Sequence, residues 1–571
     1  MRKQSLVRWL AAASFAAAPI VACSAGGGEN VFPPGSGGGG TGTGATGNSG
    51  GGGGVIIGTG GSGDTGGGGG GGFVTNPTTC EQSEQSRSYI GCDYWPTVTA
   101  NNVWSIFDFA VVVANTGTDA SDVTVTGPNG VNIQETVPVN ELKTIYLPWV
   151  PVLKGKDCDV CGSAVPIEST VRQDGGAYHL VASRPVTVYQ FSALEYKGQG
   201  GPPGKSWAGC PGDKICAMYG QAVGCFSFSN DASLLLPSTA MTGNYRVAGA
   251  NGMSWSGQPS MPSYVAITGT KDGTNVEFKA TGKVVAGGGI GALGAGQSAS
   301  FSLNAGDVIE VVGGKADADS LSGSLISANN PIQVITGVPC RNFPNNASAC
   351  DHIEESVFPA ETLGKEYVVS VPAGPKGGKA PGQAVHIVGN IDGTTLTFDP
   401  PITASGVSNG KATINAGQVM MLGIQKDDFH VVGDHEFIVL TFMQGGSVVD
   451  PNTQPPDQKG DPSQSLATAV EQYRDMYVFL APQDYDVNFV NIMATNGTSA
   501  TLDGQEVASS QFSPVGGSGL MVARVQLAPT GTHNLKSNKP VGIQVYGYGS
   551  YTSYQYPGGL NLKSIAPPPP K

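Results

Sequence analysis

The chain has 571 residues, a formal net charge of −13 and only 13% charged residues, with its lysines and arginines scattered. Without a basic patch to neutralise phosphates it is not a nucleic-acid binder. With 87 glycines and 39 prolines, and no convincing amphipathic helix beyond Ser465 to Tyr473, the composition excludes a helical fold.

Arg2, Lys3 and Arg8 precede an apolar run from Trp9 to Val21. That run is too short to span a bilayer comfortably and reads as an export signal, residues 1–22. Its end, Ile20-Val21-Ala22-Cys23, resembles the bacterial lipobox. The resemblance implies that Cys23 becomes the first mature residue and carries acyl chains; ordinary signal cleavage is the alternative. Ser24, where aspartate would imply retention at the inner membrane, points to the outer membrane. Residues 23–78 read as a flexible tether: from Gly26 to Gly72 the chain is nearly all Gly, Thr and Ser, too poor in bulky apolar residues to offset backbone ordering. Its random-coil reach is roughly 40 Å, so contact with the membrane is expected through the lipid anchor only.

Beyond the tether, short Val-, Ile- and Thr-rich runs separated by Gly, Asn, Asp and Pro predict an all-β protein. One pattern recurs four times: an apolar strand, a tight polar turn, two further strands and a closing apolar run. The turns are Asn115-Thr116-Gly117-Thr118, Asp272-Gly273-Thr274, Asp392-Gly393-Thr394 and Asn496-Gly497-Thr498. Asx-Gly in three of them predicts two-residue type I′ hairpins. A second turn recurs as Asn304-Ala305-Gly306-Asp307 and Asn415-Ala416-Gly417-Gln418. Pro185, Pro331 and Pro540 lead three of the closing runs, and the third copy uses Glu436 instead. The expected units are 79–230 with Cys-rich insertions, 231–355, 356–463 and 464–562, followed by a disordered Pro-rich tail, 563–571. Their size suits tandem β-sandwich-like repeats; a β-propeller-like closed array is the alternative.

The chain has ten cysteines, and an exported chain forms disulfides. Proximity in sequence suggests Cys80 with Cys92, Cys158 with Cys161, and Cys340 with Cys350. With Cys23 lipidated, Cys210, Cys216 and Cys225 are left to supply a fourth pair and one free thiol. Cys158-Asp159-Val160-Cys161 also fits a CxxC redox or half-zinc site, but no second CxxC and no thioredoxin-like pattern accompany it.

Gly460-Asp461-Pro462-Ser463, Glu471-Gln472-Tyr473, Tyr477-Val478-Phe479, and Cys350-Asp351-His352 ahead of Pro359 and Tyr367-Val368-Val369 resemble the amino-terminal domain of IgGFc-binding proteins. The resemblance runs over most of 100–550 and implies an extracellular, non-catalytic, β-rich binding module. The immunoglobulin ligand of the animal members does not transfer with it, and Gly460 to Ser463 lacks the histidine of their self-cleaving Gly-Asp-Pro-His motif. The resemblance also makes His352 a structural corner beside the Cys340 to Cys350 loop.

No motif selects catalytic residues, a metal or a cofactor. Gly289-Ile290-Gly291-Ala292-Leu293-Gly294 formally fits a dinucleotide fingerprint, but Ser298 to Leu303 alternates like a strand, not like the helix that such a site needs. The six histidines, His179, His352, His386, His430, His435 and His533, are dispersed. His430 and His435 with Asp427, Asp428, Asp434 and Glu436 read as a solvated acidic turn rather than a cation site. The reading is a lipid-anchored surface module that binds an extracellular protein or glycan through the inserted segments 155–175 and 198–225. An exported hydrolase and a structural envelope component are the alternatives.

Overall fold

The computed structural model describes residues 76–570 apart from 116, 218–219, 255–259, 317, 348, 455–456 and 528–530. Cys23, the leader and the tether up to residue 75 lie outside the described residues. The second unit shows the plan of the whole. Its eight strands are Asn244–Arg246, Tyr264–Gly269, Thr274–Lys279, Ser298–Leu303, Val308–Val312, Leu325–Ala328, Ile332–Arg341 and Asp351–Ser356. They form two antiparallel sheets, ordered first-sixth-third-fourth and eighth-seventh-second-fifth. Thr274–Lys279 alternates buried and exposed, whereas the seventh strand is buried along its whole length. One sheet is therefore half solvated and the other lies inside the assembly.

The third unit, from Glu366–Val369 to Gln464–Leu466, repeats both sheet orders strand for strand. In the first and last units the sixth and seventh strands are one continuous strand, His179–Ser192 and Gly531–Gly549, which belongs to both sheets. The fold is all-β, with four copies of one two-sheet plan. Strand pairing moves two of the expected boundaries. Asp231–Leu234 pairs with the seventh strand of the first unit, and Gln464–Leu466 with that of the third, so breaks at 230 and 463 fall one strand early.

The eighth strands, Asp231–Leu234, Asp351–Ser356, Gln464–Leu466 and Thr552–Pro557, each contact the next, and the last contacts the first. The array is thus closed, as in the propeller-like alternative, but from sandwich units. A seam between the chain's ends completes it. Ser88 bridges Asn561, Tyr89 N donates to Leu560 O at 3.2 Å, and Leu562 N donates to Arg87 O at 2.7 Å. One apolar core runs through all four units, from Tyr89 to Leu562. The start of the expected disordered tail is held, since the N–H groups of Ile565 and Ala566 donate to Glu361 O at 2.8 and 2.9 Å.

The Asx-Gly turns are not type I′ hairpins. Gly273, Gly393 and Gly497 have positive φ, but Asp272, Asp392 and Asn496 do not, and the strands on either side do not pair with each other. Each turn is a corner that carries the chain from one sheet to the other. The two recurrent turn motifs exist for each other. Asp272 Oδ1 accepts from Ala305 N at 3.0 Å, while Asn304 Oδ1 accepts from Gly273 N at 3.3 Å. Asp392, Ala416, Asn415 and Gly393 repeat the exchange at 3.0 and 2.9 Å. The threonine after the glycine closes the corner: Thr274 and Thr394 donate to Lys271 O and Ile391 O at 2.6 and 2.8 Å.

Candidate binding surface and polar centre

The insertions of the first unit fold onto its edge. Asn102 Nδ2 donates to Lys156 O and Val165 O at 3.0 and 2.7 Å, and Trp104 Nε1 to Asp159 O at 3.0 Å. Val171–Gln173, at the end of the first insertion, pairs with Val308–Val312 and so extends a sheet of the second unit. The second insertion is pinned where the Lys205 ammonium meets the Asp108 carboxylate and Ile106 O, with Trp207 packed on Phe107 at 5.0 Å between ring centroids. Beneath it, burial and then the neighbouring Asp108 charge push the Glu195 carboxyl up to about 8, against a hydrogen bond from Asp108 N.

Disulfides join Cys80 to Cys92, Cys340 to Cys350, Cys161 to Cys216 and Cys210 to Cys225. Two expectations fail here. Cys161 does not pair with Cys158, and none of Cys210, Cys216 and Cys225 is a free thiol. The cause is the turn around Asp159, whose Oδ1 accepts from both Cys161 N and Ser163 N at 2.8 and 2.9 Å. That turn sets Cys158 facing the core, its N–H bonded to Asn102 O at 2.7 Å, and sends Cys161 across to the other insertion. The crosslink leaves apolar side chains in solvent at both ends. Val160, beside Cys161, is 42% exposed and Ile215, beside Cys216, is 74% exposed.

Three of the six histidines clip separate segments of the chain together. His179 bonds Asp93 at 2.7 Å, His430 bonds Glu366 at 2.8 Å and His533 bonds Asp503 at 2.7 Å. The acidic turn near His430 does not gather. Asp427 pairs with Lys379 at 2.8 Å, Asp428 with Arg524, Asp434 accepts from Thr395 N at 2.8 Å, and buried Glu436 faces Asn390 at 3.2 Å. His352 is fully buried, 3.4 Å from Glu354 and stacked beside Tyr264. Val284 with Leu293 and Gly287 with Ile290 form a small hairpin at the glycine-rich segment, which runs into strand Ser298–Leu303. No helix begins there.

Where the four eighth strands meet, the interior is polar. Asp231 Oδ2 accepts from Glu354 N and Gln464 N at 3.1 and 3.0 Å, so one carboxylate of the first unit ties the second and third. Glu354 accepts from Thr99 Oγ1, Gln190 Nε2 and Ser233 Oγ at 2.5, 3.0 and 3.1 Å. Gln464 reaches back, accepting from Ala250 N at 3.0 Å and donating to Thr336 Oγ1 at 3.2 Å. This network was missed from sequence; the only signal is the run of polar residues in each eighth strand, all of which are buried.

The family model of the IgGFc binding protein matches residues 231–547, the stretch from the first unit's last strand through most of the fourth. The chain belongs to that family, whose members are binding domains rather than enzymes, and it is a binding module of that kind. The first unit's earlier strands and both insertions lie outside the matched stretch. A solved structure of an anti-sigma factor domain-containing protein from Clostridium clariflavum aligns over 55% of this chain and 81% of that one, at 12% identity and a TM-score of 0.11. That alignment carries no argument about the fold. No curated protein matches the chain. Among the described residues no helix is long and apolar enough to cross a membrane.

Proposed function

We propose that this protein is a surface-displayed lipoprotein, anchored through Cys23 at the outer membrane, whose closed β array binds an extracellular protein through the insertions of its first unit. The observation that carries the ligand site is Val160 and Ile215, exposed at the two ends of the Cys161–Cys216 crosslink. Exposed aliphatic side chains on a rigid support release water on contact with an apolar patch, at about 25 cal/mol per Å² buried, and a preorganised support spares the ordering cost of binding. A covalent lipid would hold the array at the surface.

The test uses live cells and the full chain. Surface labelling of wild type against Cys23→Ala, followed by crosslinking, is expected to give label and a captured protein for wild type only. A Val160→Asp, Ile215→Asp variant with unchanged melting is expected to stay labelled and lose the captured protein. Capture unaffected by that double variant, or capture of a glycan alone, overturns the ligand site; equal labelling of Cys23→Ala overturns the anchor.

A further inference from the structure

Two of the central carboxylates differ from the rest. Asp351 and Asp461 are 0% and 1% exposed, and among the described residues no donor stands in hydrogen-bond geometry to any of their four oxygens. Each lies the same distance upstream of the residue that pairs with the fourth residue of its unit's seventh strand, Ser356 opposite Ile335 and Leu466 opposite Leu440. They are the same position in consecutive units. Arg341, opposite Asp351 in register, turns its guanidinium over the Phe343 ring at 4.6 Å and donates to neither Asp351 oxygen.

Buried carboxylates short of donors are costly, because the charge loses its hydration and gains little in return. Burial, then the charges of Asp461 and Asp231, push the Asp351 carboxyl well above the usual range, with the N–H groups of Asn230 and His352 offsetting this only in part. Two neutral oxygens are also unused. Ser463 Oγ, two residues after Asp461, is buried and has no partner among the described residues. The Tyr485 hydroxyl is likewise buried and without a hydrogen bond, and it feels the charges of Asp351 and Asp231. Two carboxylates from separate units, with the Ser463 and Tyr485 hydroxyl oxygens, offer hard, oxygen-only donors.

We propose that Asp351 and Asp461 hold one divalent cation of the calcium class at the junction of the eighth strands, where it ties the second unit to the third. The two negative charges match the cation's two positive ones, and the oxygen set excludes soft metals. The role is structural and does not depend on which ligand the insertions bind.

The full-length protein, stripped with chelator, would be titrated with CaCl2 and MgCl2 by calorimetry and thermal melting, and the untreated protein assayed for bound metal. Expected are about one bound Ca2+ per chain and a higher Tm with Ca2+. The Asp461→Asn variant carries the discriminating sign: less stable than wild type with Ca2+, more stable than wild type in chelator, because the repulsion is gone. If neither cation binds up to about 5 mM, a range that covers weak extracellular calcium modules, and Asp461→Asn stabilises equally with and without Ca2+, the pair shares a proton and the proposal is overturned. Should the variant not fold, metal content and the Ca2+ dependence of the wild-type Tm decide alone.

Discussion

The hydroxyl of Tyr245 donates to Ile332 O at 2.7 Å, linking the first strand of its unit to the start of the seventh in the facing sheet. The other three units make the same bond: Tyr94 to Val186 O, Tyr367 to Phe437 O and Tyr477 to Val541 O. A fully buried tyrosine thus closes each sandwich through a carbonyl at the edge of its inner sheet.

Removing that hydroxyl leaves a buried carbonyl short of a partner. The Tyr245→Phe variant is expected to lose about 1–2 kcal/mol of stability, read as a lower denaturant midpoint at an unchanged slope. A loss in one unit is expected to shift the whole transition, because one core runs through all four.

Gly559 has a φ of +139°, and a Cβ built there would run into the ring of Tyr89. It sits at the seam between the chain's ends. Gly559→Val combines backbone strain with overpacking, each costing about 1–3 kcal/mol, so a fall in Tm with early exchange of the amides of residues 87–90 is expected. Exchange that starts elsewhere would show that the seam is not the weak point.

The Cys161–Cys216 bond joins the two insertions across a sequence separation of 55. In the Cys161→Ser, Cys216→Ser double variant, limited trypsin digestion is expected to cut first at exposed Lys214, with a local loss of about 2–4 kcal/mol. The strands outside the insertions should melt nearly as in wild type.

Glu310 is fully buried, its Oε1 accepts from Ala100 N at 2.9 Å, and burial is the first cause that pushes its carboxyl up to about 8. An acid with a raised folded pKa keeps its proton in the folded state while the unfolded chain releases it. Its contribution therefore falls as pH rises from about 4.5 to about 8, by at most roughly 1.4 kcal/mol for each pH step of one between those values. Glu310→Gln keeps the acceptor and cannot ionise, so its Tm should exceed that of wild type at pH 8.5 and approach it at pH 5.

The all-β class and the fourfold repeat were legible because strand periodicity and turn chemistry are local properties. The Asp-Gly-Thr and Asn-Ala-Gly motifs were found separately, yet their link through Asp272 and Ala305 joins residues far apart in sequence. The type I′ reading failed for the same reason, since the choice between a hairpin and a corner is made by which strands pair. Cysteine pairing by proximity failed at Cys161, whose direction is set by the Asp159 turn. The polar centre was invisible because its partners, such as Thr99, Asp231, Glu354 and Gln464, lie far apart in sequence and meet only when the units close.

The Cys80–Cys92 disulfide has a mechanical consequence. The seam residues 87–90 lie between the two cysteines. Tension arriving from the amino-terminal side reaches Cys80 first and passes through the sulfurs to Cys92, within the strand Gly91–Tyr94 that pairs along His179–Ser192. The stretch carrying Ser88 and Tyr89 lies inside that covalent loop and stays slack, so a pull on the chain is borne in shear by the first unit's sheet and does not unzip the closure of the ring.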